Sequence, residues 1–265
     1  MTGQPLGTFA CCRIENELNQ PVNRNPIIVA LDVAEVSQAE NLVTHLAPHV
    51  GAFKIGKELF TTAGPEIVRF VRSKGAAVFL DLKFHDIPNT VAKAVAAATR
   101  LDVQMLTIHT SGGLEMMKAA EEAAQNAAGT LGRTPPLVLG VTVLTSMDAS
   151  ALDQIGIRHS IGVQVELLAT LAHRAGLRGL VCSPLEIPAL RGIIPREMQL
   201  VTPGIRGQDD PKGDQKRTLS AEEAMNLGAD WLVIGRPICA APDPAAAARR
   251  ILESIRLGAE RRASQ

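Results

Sequence analysis

The chain has 265 residues, of which 46% are hydrophobic and 20% are charged, which is sufficient for one large globular domain. Its 27 basic residues balance 27 acidic ones, so general electrostatic attraction to nucleic acid or to a membrane is not expected. Aromatic residues make up only 3%, which argues against a stacking platform for single-stranded nucleic acid.

The cysteines and the first residues of the chain predict a cytoplasmic protein. The four cysteines include no C-x-x-C pair, and the adjacent Cys11 and Cys12 would form a poor bridge, so neither a disulfide framework nor a zinc site is predicted. Residues 1–25 resemble no signal peptide, and no apolar stretch approaches the ~18 residues of a membrane span. We expect residues 1–25 to be a flexible, irregular extension and residues 26–258 to form one domain.

From residue 26 onward, short apolar runs alternate with longer amphipathic stretches. The apolar runs predict β-strands at Ile27–Leu31, Ala52–Ile55, Ala76–Leu80, Gln104–His109, Leu137–Val143, Gly179–Cys182, Gln199–Val201 and Trp231–Ile234. The amphipathic stretches predict helices at Ser37–Leu46, Pro65–Ser73, Thr90–Thr99, Gly113–Ala127, Val163–Ala175, Ser220–Leu227 and Asp243–Ile255. Such alternation is typical of parallel βα units in an α/β protein.

Two architectures fit this order, a closed TIM (β/α)8 barrel and an open doubly wound sheet. The barrel is favoured because closure leaves no exposed edge, and because no G-x-G-x-x-G motif follows the first strand. Polar residues at or just past the strand C-termini would also converge at one barrel mouth. They are Asp32, Lys54, Asp81, Lys83, His109, Thr142, Ser183, Thr202 and Arg236.

The third predicted strand leads into the most informative segment. The apolar run Ala76–Leu80 is followed by Asp81, Lys83 and Asp86 and then by a Pro-Asn turn. Alternation along a strand puts Asp81 and Lys83 on the same face, roughly 7 Å apart. Desolvating such charges costs several kcal/mol per ion unless they pair or serve a ligand. The segment therefore predicts an electrostatic site.

Two loops after the last strands indicate an anion site. Residues Val201–Gly207 form a Pro-Gly turn in which Arg206 can contact a phosphate through two N–H groups. The sequence I-G-R-P at Ile234–Pro237 follows the last strand, and phosphate sites after strands seven and eight are frequent in this fold. The long hydrophilic stretch Gly207–Arg217 is predicted to be a closing lid.

Other reactive side chains are better explained by structural roles. His109 and Ser111 lack the G-x-S-x-G context of a nucleophile, so a hydrogen-bonded histidine beside a helix cap is favoured. His85 is expected to support its charged neighbours, and Cys182 to be a small core residue. No clustered set of histidines and carboxylates predicts a metal site.

Together these segments resemble the bacterial orotidine 5′-phosphate decarboxylases. The shared motifs follow the family's order, and the segment Asp81–Thr90 is the most specific of them. They are Ala30–Asp32, Lys54–Gly56, Asp81–Thr90, Val141–Ser146, Val201–Arg206, Asp214–Gln215 and Val233–Pro237. The resemblance implies a TIM barrel that converts orotidine 5′-phosphate into uridine 5′-phosphate and CO2 in pyrimidine synthesis, without a metal, flavin or pyridoxal cofactor.

The resemblance also implies a role for individual residues. Lys83 is implied as the proton donor to pyrimidine carbon 6, with Asp81, Asp86 and Lys54 completing the catalytic set. The implied substrate-binding residues are Asp32, Lys54, Asp81, Ile87, Thr90, Thr145, Arg206, Gln215, Gly235 and Arg236. Of these, Gln215, Gly235 and Arg236 are implied on the phosphate, with Arg206 nearby. The implied enzyme is a homodimer in which Asp86, Ile87 and Thr90 reach the partner subunit's site.

Two alternatives remain at this stage. A sugar-phosphate lyase of the same superfamily shares the D-x-K-x-x-D pattern but uses magnesium held partly by an acid on the second strand, where this chain has Lys54. Loss of activity in EDTA and its recovery with magnesium would favour that lyase. A sensor of nucleotide phosphates without enzyme activity would have no need of Lys83.

Overall fold

A computed structural model of the chain describes residues 25–206 and 218–264, which contain eight parallel strands. The strands are β1 (Ile27–Ala30), β2 (Ala52–Gly56), β3 (Ala77–Phe84), β4 (Met105–His109), β5 (Leu137–Val141), β6 (Gly179–Val181), β7 (Gln199–Thr202) and β8 (Trp231–Ile234). Each strand pairs with the next along the chain, and β1 pairs with β8, so the sheet closes. The predicted TIM (β/α)8 fold is confirmed.

Helices follow the strands around the outside of the barrel. They are α1 (Val36–Leu46), α2 (Lys57–Ala63), α3 (Glu66–Ser73), α4 (Pro88–Arg100), α5 (Gly113–Thr130), α6 (Ala149–Gln154), α7 (Ile161–Arg174), α8 (Ile187–Arg191), α9 (Ala221–Leu227), α10 (Arg236–Cys239) and α11 (Pro244–Ala263). The sequence did not predict α2, α6, α8 and α10. The last three have four to six residues, too few to show a clear helical period. Within the two described ranges, no helix has the length and apolar character needed to span a membrane.

Side-chain alternation along each strand divides the core into two layers. On β1, Ile28 and Ala30 belong to a cluster inside the barrel, whereas Ile27 and Val29 pack outward with the helices. The inner cluster consists of Ile28, Ala30, Ala52, Phe79, Met105, Leu137, Leu139, Val201, Trp231 and Val233. Because the barrel is filled, a residue placed two positions after an inner residue at the strand C-terminus faces the mouth.

A tight backbone contact lies at the opposite end of the barrel. The Asn25 side-chain amide donates to the His49 carbonyl oxygen at 2.7 Å, and its oxygen accepts from the Ile27 N–H at 3.0 Å. Gly51 lies against this corner, where a Cβ atom would stand 2.1 Å from the Asn25 carbonyl oxygen. Only glycine allows the two chain segments to approach so closely.

Candidate active site

A cavity of about 740 Å³ opens at the C-terminal ends of the strands. Inner-layer residues, among them Phe79 and Val233, line its apolar part. The polar residues follow from strand alternation, since Asp32, Lys54 and Asp81 each lie two positions after an inner-layer residue. The cavity therefore combines an apolar lining with a set of charged groups.

Not every polar residue expected at the mouth faces this cavity. Asp32, Lys54, Asp81, Lys83 and Arg236 line it. His109, Thr142, Ser183 and Thr202 do not, and the last three are buried. Thr142 and Thr202 each follow a strand residue that faces inward, so alternation turns their side chains away from the cavity.

The charged groups form a continuous chain of ion pairs. Lys54 Nζ lies 2.8 Å from Asp32 Oδ1 and 3.8 Å from Asp81 Oδ2. Lys83 Nζ contacts both oxygens of Asp81, at 2.7 and 2.8 Å. The order Asp32, Lys54, Asp81, Lys83 alternates in sign, so every internal member lies between opposite charges. The expectation that Asp81 and Lys83 share a face agrees with these distances.

Asp81 remains ionised in this setting. Burial alone would raise the pKa of its carboxyl group, but the ammonium groups of Lys83 and Lys54, together with hydrogen bonds from Lys83 and Thr107, hold the pKa below the ordinary value. The carboxylate side chain is 13% exposed. It therefore presents a fixed negative charge to anything bound in the cavity.

Strand β3 continues to Phe84, so the prediction that the strand ends at Leu80 was too short. The register against β4 shifts between Leu80 and Phe84, and Lys83 adopts a left-handed backbone conformation with φ of 53°. That conformation costs a residue with a side chain ~1–2 kcal/mol. A hydrogen bond from the Lys83 N–H to the Thr107 hydroxyl, at 2.9 Å, supports it.

The residues implied for the phosphate and the base lie mostly around the same cavity. Thr145, Arg206, Gly235 and Arg236 all line it. Gly235 lies against the first strand, where a Cβ atom would stand 3.5 Å from the Ala30 side chain. Gln215 and the predicted lid over residues 207–217 lie outside the described residues.

Asp86, Ile87 and Thr90 stand apart from the cavity of their own chain. None of them is among its lining residues, and all three are exposed, Ile87 to 65%. The Asp86 carboxylate accepts the Ile87 N–H at 2.6 Å just before α4 begins at Pro88. Within the described part of this chain, Asp86 forms no ion pair with Lys83.

Two histidines beside the site lie against each other. His109 and His85 form a tilted ring pair with centroids 5.5 Å apart. The predicted place of His109 at a helix cap is confirmed, because it is the N-cap residue of a single 3-10 turn, whereas no hydrogen bond of its ring is found in the described residues. Burial lowers the pKa of His109, and electrostatic interactions with His85, Lys83 and Lys57 lower it further, whereas the Asp81 carboxylate acts in the opposite direction.

Three residues with a polar or thiol side chain at the site were missed by sequence reasoning. Thr107 on β4 bonds to both Asp81 and Lys83, and Gln38 and Cys239 line the cavity. The signal for Thr107 was available, because it lies two positions after the inner residue Met105. Cys182 is buried, as expected, and burial raises its pKa to about 12.

The chain is similar to known proteins over most of its length. Residues 25–251 match the family described as Orotidine 5′-phosphate decarboxylase / HUMPS. An orotidine 5′-phosphate decarboxylase of Moorella thermoacetica is 50% identical over 235 residues, covering 88% of this chain and 93% of the relative. That of Opitutus terrae is 51% identical over 230 residues, covering 87% and 98%.

The chain is also similar to a solved structure. The crystal structure of orotidine 5′-phosphate decarboxylase from Lactobacillus acidophilus matches with a TM-score of 0.78 and 35% identity. The match covers 87% of this chain and 99% of that one. In the described residues, no group of three or more His, Cys, Asp or Glu side chains is arranged to hold a metal ion.

Proposed function

The chain belongs to the orotidine 5′-phosphate decarboxylase / HUMPS family of enzymes, and we propose that it converts orotidine 5′-phosphate into uridine 5′-phosphate and CO2. The relatives that are about half identical over most of this chain carry the decarboxylase name. The observation that carries the proposal is the Lys83 ammonium, which contacts both oxygens of Asp81 in the lining of the cavity.

The chemistry requires a positive charge beside one carbon atom. Loss of CO2 from carbon 6 of the pyrimidine leaves an electron pair in an sp² orbital, with no adjacent carbonyl group to accept it. An ammonium at that position stabilises charge that develops only as the bond breaks, so it lowers the barrier instead of merely tightening binding. Lys83 then gives its proton to carbon 6, which completes uridine 5′-phosphate.

Asp81 has two effects in this proposal. Its negative charge attracts the Lys83 ammonium and holds it in position, since the two groups lie 2.7 Å apart. It also faces the substrate carboxylate, and the repulsion between two carboxylates falls as CO2 leaves, which favours the transition state over the bound substrate. The lowered pKa of Asp81 ensures that this charge is present at neutral pH.

The remaining residues would hold the parts of the substrate that do not react. We assign the ribose hydroxyls to Asp32 and Lys54, which already form a 2.8 Å pair at the cavity edge. Thr145 is assigned to the base. Gly235 and Arg236 are assigned to the phosphate, with Arg206 nearby and Gln215 contributed from the predicted lid. Binding energy at the phosphate can then position the ring against Lys83.

The proposed assembly is a homodimer with shared sites. Asp86, Ile87 and Thr90 lie outside their own cavity and are exposed around the start of α4. An exposed isoleucine beside a carboxylate suits a contact with a second subunit, where Asp86 would extend the partner's alternating charges beyond Lys83. We propose that each complete site draws on both chains.

The direct test is loss of pyrimidine absorbance when orotidine 5′-phosphate is added to the purified protein in EDTA. We expect turnover by the natural sequence and none detectable with Lys83→Ala. The matched control is Lys74→Ala, which removes an exposed lysine that lies over the Phe70 ring at the end of α3. Turnover that survives in Lys83→Ala would refute the role of the ammonium.

The same assay separates the decarboxylase from the magnesium-dependent sugar-phosphate lyases. In those enzymes an acid on the second strand helps to hold the metal, whereas Lys54 on β2 is paired with Asp32 and lies near Asp81. We expect EDTA to leave the rate unchanged. Inactivation by EDTA that magnesium reverses would favour the lyase instead.

A further inference from the structure

The ladder between β3 and β4 loses its regular register at the catalytic segment. Leu80 lies opposite Leu106, and Phe84 lies opposite Ile108, so three residues of β3 face one residue of β4. That one residue is Thr107, and its side chain is completely buried. Bulges of this kind re-aim side chains next to active sites.

The Thr107 hydroxyl forms hydrogen bonds in two directions. It accepts from the Lys83 N–H at 2.9 Å and donates to Asp81 Oδ1 at 2.9 Å. The direction of the second bond is fixed, because an ionised carboxylate only accepts. Lys83 Nζ in turn contacts both oxygens of the same carboxylate. The three residues therefore form a closed ring of contacts. Thr107 binds the Lys83 main chain and the Asp81 side chain, and the Lys83 side chain binds the Asp81 side chain.

We propose that Thr107 is a positioning residue, whose hydroxyl holds the Asp81 carboxylate and the Lys83 backbone in the arrangement that directs the ammonium into the cavity. The inference rests on the proposed function, since it takes Lys83 as the proton donor. A left-handed backbone at a lysine persists only where surrounding contacts hold it, and the Thr107 hydroxyl supplies one of those contacts.

In this proposal, Thr107 prevents the Asp81 carboxylate from rotating towards Lys54. Lys54 Nζ lies 3.8 Å from Asp81 Oδ2, so Asp81 stands between two ammonium groups. Without a donor on Oδ1, rotation of the carboxylate towards Lys54 would weaken its two-oxygen contact with Lys83. The expected consequence is slower chemistry, while binding through the distant phosphate changes little.

The Thr107→Ala and Thr107→Ser variants isolate the hydroxyl, because both lack the methyl group and only serine keeps the donor. We expect kcat of the alanine variant to fall roughly ten- to hundredfold below that of the serine variant, the range for loss of a hydrogen bond to a charged group. KM should stay within about threefold. If the Thr107→Ala protein does not fold, Thr107→Val replaces it, because valine keeps the volume of the threonine side chain and lacks the hydroxyl.

The control is Thr99→Val, since Thr99 is also buried and its hydroxyl donates within α4 to the Val95 carbonyl oxygen at 2.9 Å. Its kcat should match that of the natural sequence. Equal kcat values for Thr107→Ala and Thr107→Ser would overturn the inference, because the hydroxyl would then have no catalytic consequence.

A second measurement needs no turnover. In ligand-free protein labelled with carbon-13 at aspartate carboxyl groups, the Asp81 signal is assigned by its loss in Asp81→Asn. The hydrogen bond from Thr107 lowers the pKa of Asp81, so Thr107→Ala should raise that pKa and Thr107→Ser should not. An identical titration in both variants would overturn the positioning role. Absence of turnover by the natural sequence would instead refute the proposed function and leave this titration as the test of positioning.

Discussion

The Asp81→Asn substitution tests the charged centre of the site with little change in shape. It removes the only carboxylate that contacts both Lys54 and Lys83 in the described residues. Two unit charges ~4 Å apart interact by about 4 kcal/mol at an effective dielectric of ~20. The Lys83 side chain is 24% exposed, so solvent screening lowers the electrostatic interaction between Asp81 and Lys83 to about 3 kcal/mol.

That free energy sets the expected loss of activity. If it is expressed in the transition state, kcat/KM should fall by roughly a hundredfold or more, since each 1.36 kcal/mol is worth about a factor of ten. The assay is the absorbance change with orotidine 5′-phosphate at neutral pH. A folded Asp81→Asn protein with kcat/KM within about threefold of the natural sequence would refute the electrostatic reasoning.

The matched control is Asp243→Asn, at a second carboxylate whose pKa is also lowered. Asp243 caps α11, and the Ala246 N–H donates to it at 2.9 Å, which is the main cause of the lowered pKa. Asparagine caps helices nearly as well as aspartate, so both fold and activity should be retained. The pair of variants separates loss of this particular charge from loss of any carboxylate.

Acid unfolding gives an independent check on Asp81. Its pKa in the folded protein lies below the ordinary value of 3.8, so its contribution to stability is complete above that pH and is lost as the pH falls through the folded pKa. The asparagine variant has no such group. Any difference in the free energy of unfolding due to this ionisation should therefore be constant near neutral pH and change only below about pH 4. Denaturant unfolding at stepped pH measures it.

Three further predictions concern the assembly, the barrel end and the thiols. Inactive Lys83→Ala and Asp86→Ala proteins, mixed under subunit exchange, should recover about a quarter of full activity, because half of the dimers are mixed and each has one intact site; no recovery despite verified exchange would mean that each chain builds its site alone. Gly51→Ala should lower the free energy of unfolding by ~1–3 kcal/mol in denaturant titrations, since its Cβ would meet the Asn25 carbonyl oxygen, with activity per folded molecule unchanged. Burial raises the pKa of Cys239 to about 11, so only ~0.1% is thiolate at pH 8 and iodoacetamide should not inactivate the folded protein there, as residual activity would report.

Periodicity predicted the strands and the long helices well, because these features depend on side chains that are near one another in sequence. The apolar runs at Ala52–Ile55 and Trp231–Ile234 match β2 and β8 almost residue for residue. Closure of the barrel followed from counting strands and from the position of polar residues after them. The short helices α6 and α8 were missed, since five or six residues cannot display an amphipathic pattern.

The alternation of inward-facing and outward-facing residues along a strand, here called strand parity, was more informative about the site than the list of polar residues at strand ends. Asp32, Lys54 and Asp81 continue the inward-facing series of their strands, and all three line the cavity. Thr142 and Thr202 occupy the alternate positions and are buried away from it. Parity could have been applied to the sequence alone, because it needs only the strand boundaries and the knowledge that β1 to β8 surround one interior.

The contact between β3 and β4 shows where that reasoning stops. Regular pairing from Leu80 opposite Leu106 would extend one residue at a time, but the ladder advances four residues on β3 for two on β4. The extra residues contain Lys83, whose left-handed backbone no propensity rule predicts for a lysine. A hydroxyl that is distant in sequence, on Thr107, supports this conformation and the Asp81 carboxylate together. The orientation of the proposed catalytic ammonium is thus a tertiary property, because it depends on contacts between β3 and β4.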